Sequence, residues 1–64
     1  MPETEDPFGP FNSDGEAIQF LESRHYLCID GTIIPPGPGY VDKPDETMAI
    51  GYLVAHWDWH YEKL

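Results

Sequence analysis

Tyr26-Leu27-Cys28-Ile29-Asp30-Gly31-Thr32-Ile33-Ile34 decides the fold. Two short β-branched and aromatic runs flank an Asp-Gly pair, and that pair supplies the positive φ angles a two-residue type I′ turn demands. A β-hairpin is therefore expected. Downstream, Pro35-Pro36-Gly37-Pro38-Gly39 ends the second strand, because proline cannot donate to a ladder and the glycines break regular continuation.

Beyond that loop, Asp42-Lys43-Pro44-Asp45-Glu46 reads as a helix start, with Asp42 or Lys43 at the cap, Pro44 in the first turn and two acids near the positive dipole end. Helical spacing predicts a helix from Pro44 almost to Leu64. Its stripe of Ile50, Leu53, Val54, Trp57, Tyr61 and Leu64 is expected to lie on the hairpin and the first helix. A second set, Ala49, Tyr52, His56 and Trp59, points elsewhere. Two readings of it stay open: Tyr52 and Trp59 complete a scarce core with help from Phe8, Phe11 or Tyr40, or they form an exposed aromatic patch of the kind enriched in binding hot spots. The first is preferred.

Upstream of the hairpin, Ser13-Asp14-Gly15-Glu16 forms a capping box, with Ser13 accepting from the Glu16 amide and Glu16 reaching back to the Ser13 amide. A first helix follows over Asp14 to Arg24, with Ala17, Phe20 and Leu21 facing the core. Residues 1–11 combine Pro2, Pro7, Gly9 and Pro10 with Glu3, Glu5 and Asp6, and read as a mobile acidic arm that Phe8 and Phe11 pin to the body. The expected architecture is α+β: one small helix–hairpin–helix domain over residues 12–64, preceded by that arm.

Sixty-four residues allow one modest core, since a chain this short buries only about 60% of its unfolded surface. Cys28 is the single cysteine, so no internal disulfide and no paired-cysteine zinc site can be written. A lone thiol suits a reducing compartment. The first thirty residues show no basic start followed by an apolar run, and no stretch approaches the ~20 apolar residues of a membrane span, so a cytoplasmic location is expected.

Chemistry finds little support. His56 and His60 stand one helical turn apart, a spacing that chelates transition metals, but the pair lacks the Glu of metalloprotease helices, and His25, Cys28 or Glu62 would have to complete the set. An ordinary pair of histidines is the preferred reading, and no metal or cofactor is expected. Cys28 falls inside a strand in apolar surroundings that favour an inert thiol. Gly37-Pro38-Gly39 lacks the amide donors and following Lys of a phosphate cradle. No enzymatic role is expected.

Charge is the feature that remains. Twelve acids against three bases leave a formal charge of −9, which repels nucleic acid and anionic membranes, while an apolar fraction of 41% argues against disorder. A dense negative surface attracts basic grooves, and carboxylates held near phosphate positions can occupy a groove built for nucleic acid. The acids named for such contact are Asp14, Glu16, Glu22, Asp30, Asp45, Glu46, Asp58 and Glu62. Helical-wheel placement puts neither the acids of the first helix nor those of the second on one face, so a row has to be assembled across elements by the fold.

In size, charge, lack of catalytic motif and helix–hairpin–helix reading, the chain resembles the small acidic inhibitors that phages encode against host DNA-handling machines, notably DNA-mimic anti-CRISPR proteins. The resemblance is compositional and rests on no shared motif. It implies a target such as the DNA-binding subunit of a CRISPR surveillance complex in the host cytoplasm. Two other readings stand beside it: acidity as adaptation to a salty cytoplasm, and a protein–protein adaptor or assembly subunit using Tyr52 and Trp59, with the acids serving solubility.

Overall fold

The computed structural model describes residues 11–64. Helix α1 spans Asp14–Ser23, strands β1 and β2 span Leu27–Ile29 and Thr32–Ile34, helix α2 spans Pro44–Trp57, and strand β3 spans His60–Tyr61. The three strands form one mixed sheet in the order β1-β2-β3, and both helices pack on one of its faces. The architecture is α+β. Of the expected acidic arm, Met1 to Pro10, including Phe8, lie outside the described residues.

Helix α1 begins with half of the expected capping box. The Glu16 amide donates to Ser13 Oγ at 3.3 Å, but the Glu16 carboxylate accepts from the Asn12 amide at 3.0 Å and not from that of Ser13. At the other end the His25 amide donates to the Glu22 carbonyl and the Tyr26 amide to the Leu21 carbonyl, with His25 at φ 75°. These are the paired bonds of a Schellman motif, here with histidine at the left-handed position usually held by glycine. The motif ends α1 and turns the chain directly into β1.

The hairpin forms as expected. Leu27 pairs with Ile34 and Ile29 with Thr32, and the turn residues Asp30 and Gly31 have φ of 52° and 76°. Both left-handed positions of a type I′ turn are thus filled by residues that tolerate them. Alternation then sends Cys28 and Ile33 toward the helices and leaves Leu27 and Ile29 about half exposed on the outer face.

The last third of the chain departs from expectation. Helix α2 stops at Trp57, Asp58 takes a left-handed φ of 62°, and the amides of Asp58 and Trp59 both donate to the Leu53 carbonyl. His60 and Tyr61 then pair in parallel with Thr32 and Ile33. A parallel neighbour requires a crossover connection, and α2 is that connection. The physical cause of the early stop is the open edge of β2: a third strand satisfies backbone groups there that a longer helix would leave to water.

Ending the helix there also rotates the buried stripe. The core consists of Ala17, Leu21, Tyr26, Ile33, Ala49, Ile50, Tyr52 and Leu53. Ile50 and Leu53 are buried as expected, but Val54, Trp57 and Leu64 are 43%, 46% and 61% exposed, and Tyr61 is half-buried. Ala49 and Tyr52, from the set that pointed elsewhere, are inside instead. Leu21, Ile33 and Leu53 are the largest fully buried apolar side chains, each contributing about 1.5–3 kcal/mol by leaving water. Phe20, expected in the core, is only partly buried, with the Phe11 ring 5.7 Å away and the Arg24 guanidinium 4.5 Å over its face.

Candidate functional site

Helices α1 and α2 run antiparallel, since Arg24 at the end of α1 meets the first turn of α2 while Phe11, just before α1, lies 5.9 Å from Tyr52 in the third turn. The molecule therefore has two ends of different chemistry. The first carries Arg24 and the start of α2; the second carries the hairpin tip, the end of α2 and the start of β3.

At the first end a carboxylate is buried. Glu46 is 1% exposed, because positions 46, 49, 50 and 53 form one i, i+3, i+4, i+7 face of α2 and that face is the core. Its Oε1 accepts from the Tyr40 hydroxyl at 2.8 Å, the Tyr26 hydroxyl at 3.0 Å and the Lys43 amide at 3.0 Å, and its Oε2 accepts from Arg24 at 3.0 Å. Arg24 also holds Asp45 at 2.9 Å. Asp42, expected only as a possible cap, accepts from the hydroxyls of Tyr26 and Tyr61, the latter at 2.7 Å to each oxygen. The single hydroxyl hydrogen of Tyr26 serves two carboxylates.

Electrostatics follow from these contacts. Burial alone would raise the Glu46 carboxyl, but the Lys43 amide, Tyr40, Tyr26 and Arg24 together outweigh it and hold the group down at about 2. Burial, and then hydrogen bonding to Asp42, pushes Tyr26 and Tyr61 up and keeps them protonated as donors. Both oxygens of Glu46 are engaged by donors of the fold and the side chain is enclosed, which keeps it from a substrate. This cluster ties α1, β1, the 35–43 loop, α2 and β3 together, and it works as structure.

The second end gathers acids. The His60 amide donates to the Gly31 carbonyl at 2.8 Å, so the backbones carrying Asp30 and Asp58 meet there. The antiparallel helices direct the first turn of α1, with Asp14 and Glu16, toward the same end. Among the described residues, the Asp14 and Glu16 carboxylates make only local capping bonds, to the amides of Gly15 and Asn12. Among the described residues no donor meets the carboxylates of Glu22, Asp30 or Asp58. Glu62 lies 2.9 Å from His60 Nε2 on β3.

Of the eight acids named from sequence, the fold thus brings Asp14, Glu16, Asp30 and Asp58 toward one end and leaves Glu22 and Glu62 exposed elsewhere. Asp45 is partly neutralised by Arg24. Glu46 is corrected outright, since a side chain enclosed in the core offers nothing to a partner. The exposed aromatic patch is corrected as well: Tyr52 is 6% exposed, and Trp59 is half-buried against the core.

His56 and His60 do not share a helix face, since the helix ends between them; the His56 ring stacks 5.1 Å from Tyr52. Among the described residues no group of three or more His, Cys, Asp and Glu is placed to hold a metal ion. Burial and, secondarily, Glu22 push the Cys28 thiol up to about 11, which disfavours the reactive thiolate. Among the described residues no helix is long and apolar enough to cross a membrane.

Compared with known proteins, the chain matches no family model, no curated protein and no solved structure.

Proposed function

We propose that this chain is a non-catalytic, cytoplasmic inhibitor that occupies a basic nucleic-acid-binding groove of a host DNA-handling complex, with carboxylates standing where phosphates would. One observation carries the reading: among the described residues, Arg24 and Lys43 sit at one end, and Asp14, Glu16, Asp30 and Asp58 gather at the other. Arg24 is held by Glu46 and Asp45, and Lys43 caps α2 beside it, while Asp30, Asp58, Asp14 and Glu16 are directed to the far end with no cation among the described residues bonded to them. An uncompensated anionic end steers toward a cationic cleft over about a Debye length, ~8–10 Å.

A phage-encoded anti-CRISPR role is the concrete form of the proposal, resting on size, charge and this polarity. Lack of catalysis is supported by the enclosure of Glu46 and the suppressed Cys28 thiolate. The test is binding to the DNA-binding subunit of a CRISPR surveillance complex at rising salt, with duplex DNA as competitor. Affinity is expected to fall steeply with salt, DNA is expected to displace the protein, and Asp30→Asn with Asp58→Asn is expected to flatten the salt dependence. Binding that ignores salt, or coexists with bound DNA, sinks the reading.

A further inference from the structure

The outer face of the sheet has no cover among the described residues. Leu27 and Ile29 are 53% and 51% exposed, and the register sets Ile34 beside Leu27 and Thr32 beside Ile29. His60 pairs with Thr32, and its contact with Glu62 places both on this face by alternation. The result is an aliphatic centre of Leu27, Ile29 and Ile34, with Asp30 at the tip and Glu62 along the β3 side.

We propose that this face docks a basic amphipathic helix of a partner protein, its apolar stripe on Leu27, Ile29 and Ile34 and its flanking lysines or arginines against Asp30 and Glu62. The inference rests on the reading of the chain as a binder of basic proteins; the face shares Asp30 with the acidic end but is centred on the aliphatic side chains of Leu27, Ile29 and Ile34. Three strands at ~4.8 Å spacing and ~3.3 Å per residue make a plot roughly 10 Å on each side, the footprint of about two turns of one helix. Charge complementarity selects the occupant. A second copy would bring another −9 chain and an identical acidic rim face to face, whereas a basic helix neutralises the rim as its stripe covers the aliphatic centre.

The probe is a synthetic helix of about 18 residues with leucines on one stripe and lysines elsewhere, beside a control with glutamine in place of leucine. Methyl NMR of the unaltered protein is expected to shift Leu27, Ile29 and Ile34 with the leucine probe and not with the control. Leu27→Ser with Ile29→Ser, both about half exposed, is expected to weaken binding by about tenfold when measured under conditions where urea unfolding shows the variant still folded.

Backbone-amide shifts confined to Asp14, Asp30 and Asp58, equal for both peptides and with no methyl shift, overturn this proposal while leaving the acidic-end reading intact. No shift with either peptide overturns it too, and that reading is then judged separately by its own salt and DNA-competition test. Sedimentation as a dimer abolished by Ile29→Ser, or contacts from Phe8 to Ile29 in the free protein, assigns the face to another occupant and also overturns it.

Discussion

The two ends of this molecule use the same functional group for opposite ends. At the start of α2, Glu46 and Asp42 are enclosed by three tyrosines and an arginine and hold five segments together; at the other end, Asp30 in the hairpin turn and Asp58 at the close of α2 occupy left-handed positions in the open. The difference teaches that a carboxylate count overstates surface charge in a small domain. Some acids replace the apolar core that the chain is too short to build, and only the remainder are offered to solvent.

The largest expected effect comes from removing the central carboxylate. Glu46→Gln preserves volume but strips the charge facing Arg24, which is itself about a third exposed, and forces one amide proton against the hydroxyl and amide donors, a buried mismatch that costs about 1–3 kcal/mol. A chain of this length has roughly 3–10 kcal/mol in total, so a substantial share of its stability is lost and the urea midpoint falls clearly. Urea denaturation checks it. A loss below about 1 kcal/mol would remove the distinction between the two ends, because surface changes typically fall in that range.

Acid titration is the next largest. Glu46 sits near 2 in the fold against an ordinary value of 4.5, so as pH falls the unfolded chain takes up the proton first. Its contribution is complete above about pH 5 and is lost progressively as pH falls toward 2. Tyr40→Phe deletes one donor to Glu46 and should move the onset of acid unfolding upward. Carboxyl NMR of Glu46 through the same pH range checks the assignment directly.

How much of this was readable in the sequence depended on whether the cause was local. The hairpin needs only Asp30 and Gly31, and the start of α1 only Ser13 and its neighbours, so both were legible. The end of α2 was contested. Ile50, Leu53, Trp57 and Tyr61 fit a helix, but Trp57-Asp58-Trp59-His60-Tyr61-Glu62 also alternates apolar and polar with the period of a strand. The vacant edge of β2, distant in sequence, decides between them. Glu46 carried a signal too: it lies on the stripe with Ala49, Ile50 and Leu53, a core position, though only the folded partners Arg24, Tyr26 and Tyr40 make burial there tolerable.

Smaller effects sharpen the same contrast. Tyr61→Phe removes the hydroxyl that anchors β3 to Asp42 and should cost about 1 kcal/mol, with faster amide exchange at Glu62 and His60, whose bonds hold β3 to β2. Gly31→Ala at the opposite end should cost roughly 1–2 kcal/mol for a purely backbone reason. Its φ is 76° and an added Cβ meets nothing within 4 Å, so no packing term enters. A Gly31→Asn variant, tolerating the left-handed region, should recover part of that loss.

Least costly to the fold should be Asp30→Asn combined with Asp58→Asn. Asparagine keeps both the shape and the left-handed tolerance that positions 30 and 58 require, and neither carboxylate has a described partner to lose. Unfolding in urea should therefore shift by less than about 0.5 kcal/mol, and removing two like charges from one end offsets even that. What should change is the long-range field: association with a basic partner slows, most at low salt, with little effect on dissociation from any apolar contact. Stability and association thus separate at this end, whereas at Glu46 they cannot be separated, because the same charge that would be probed is the one on which folding depends.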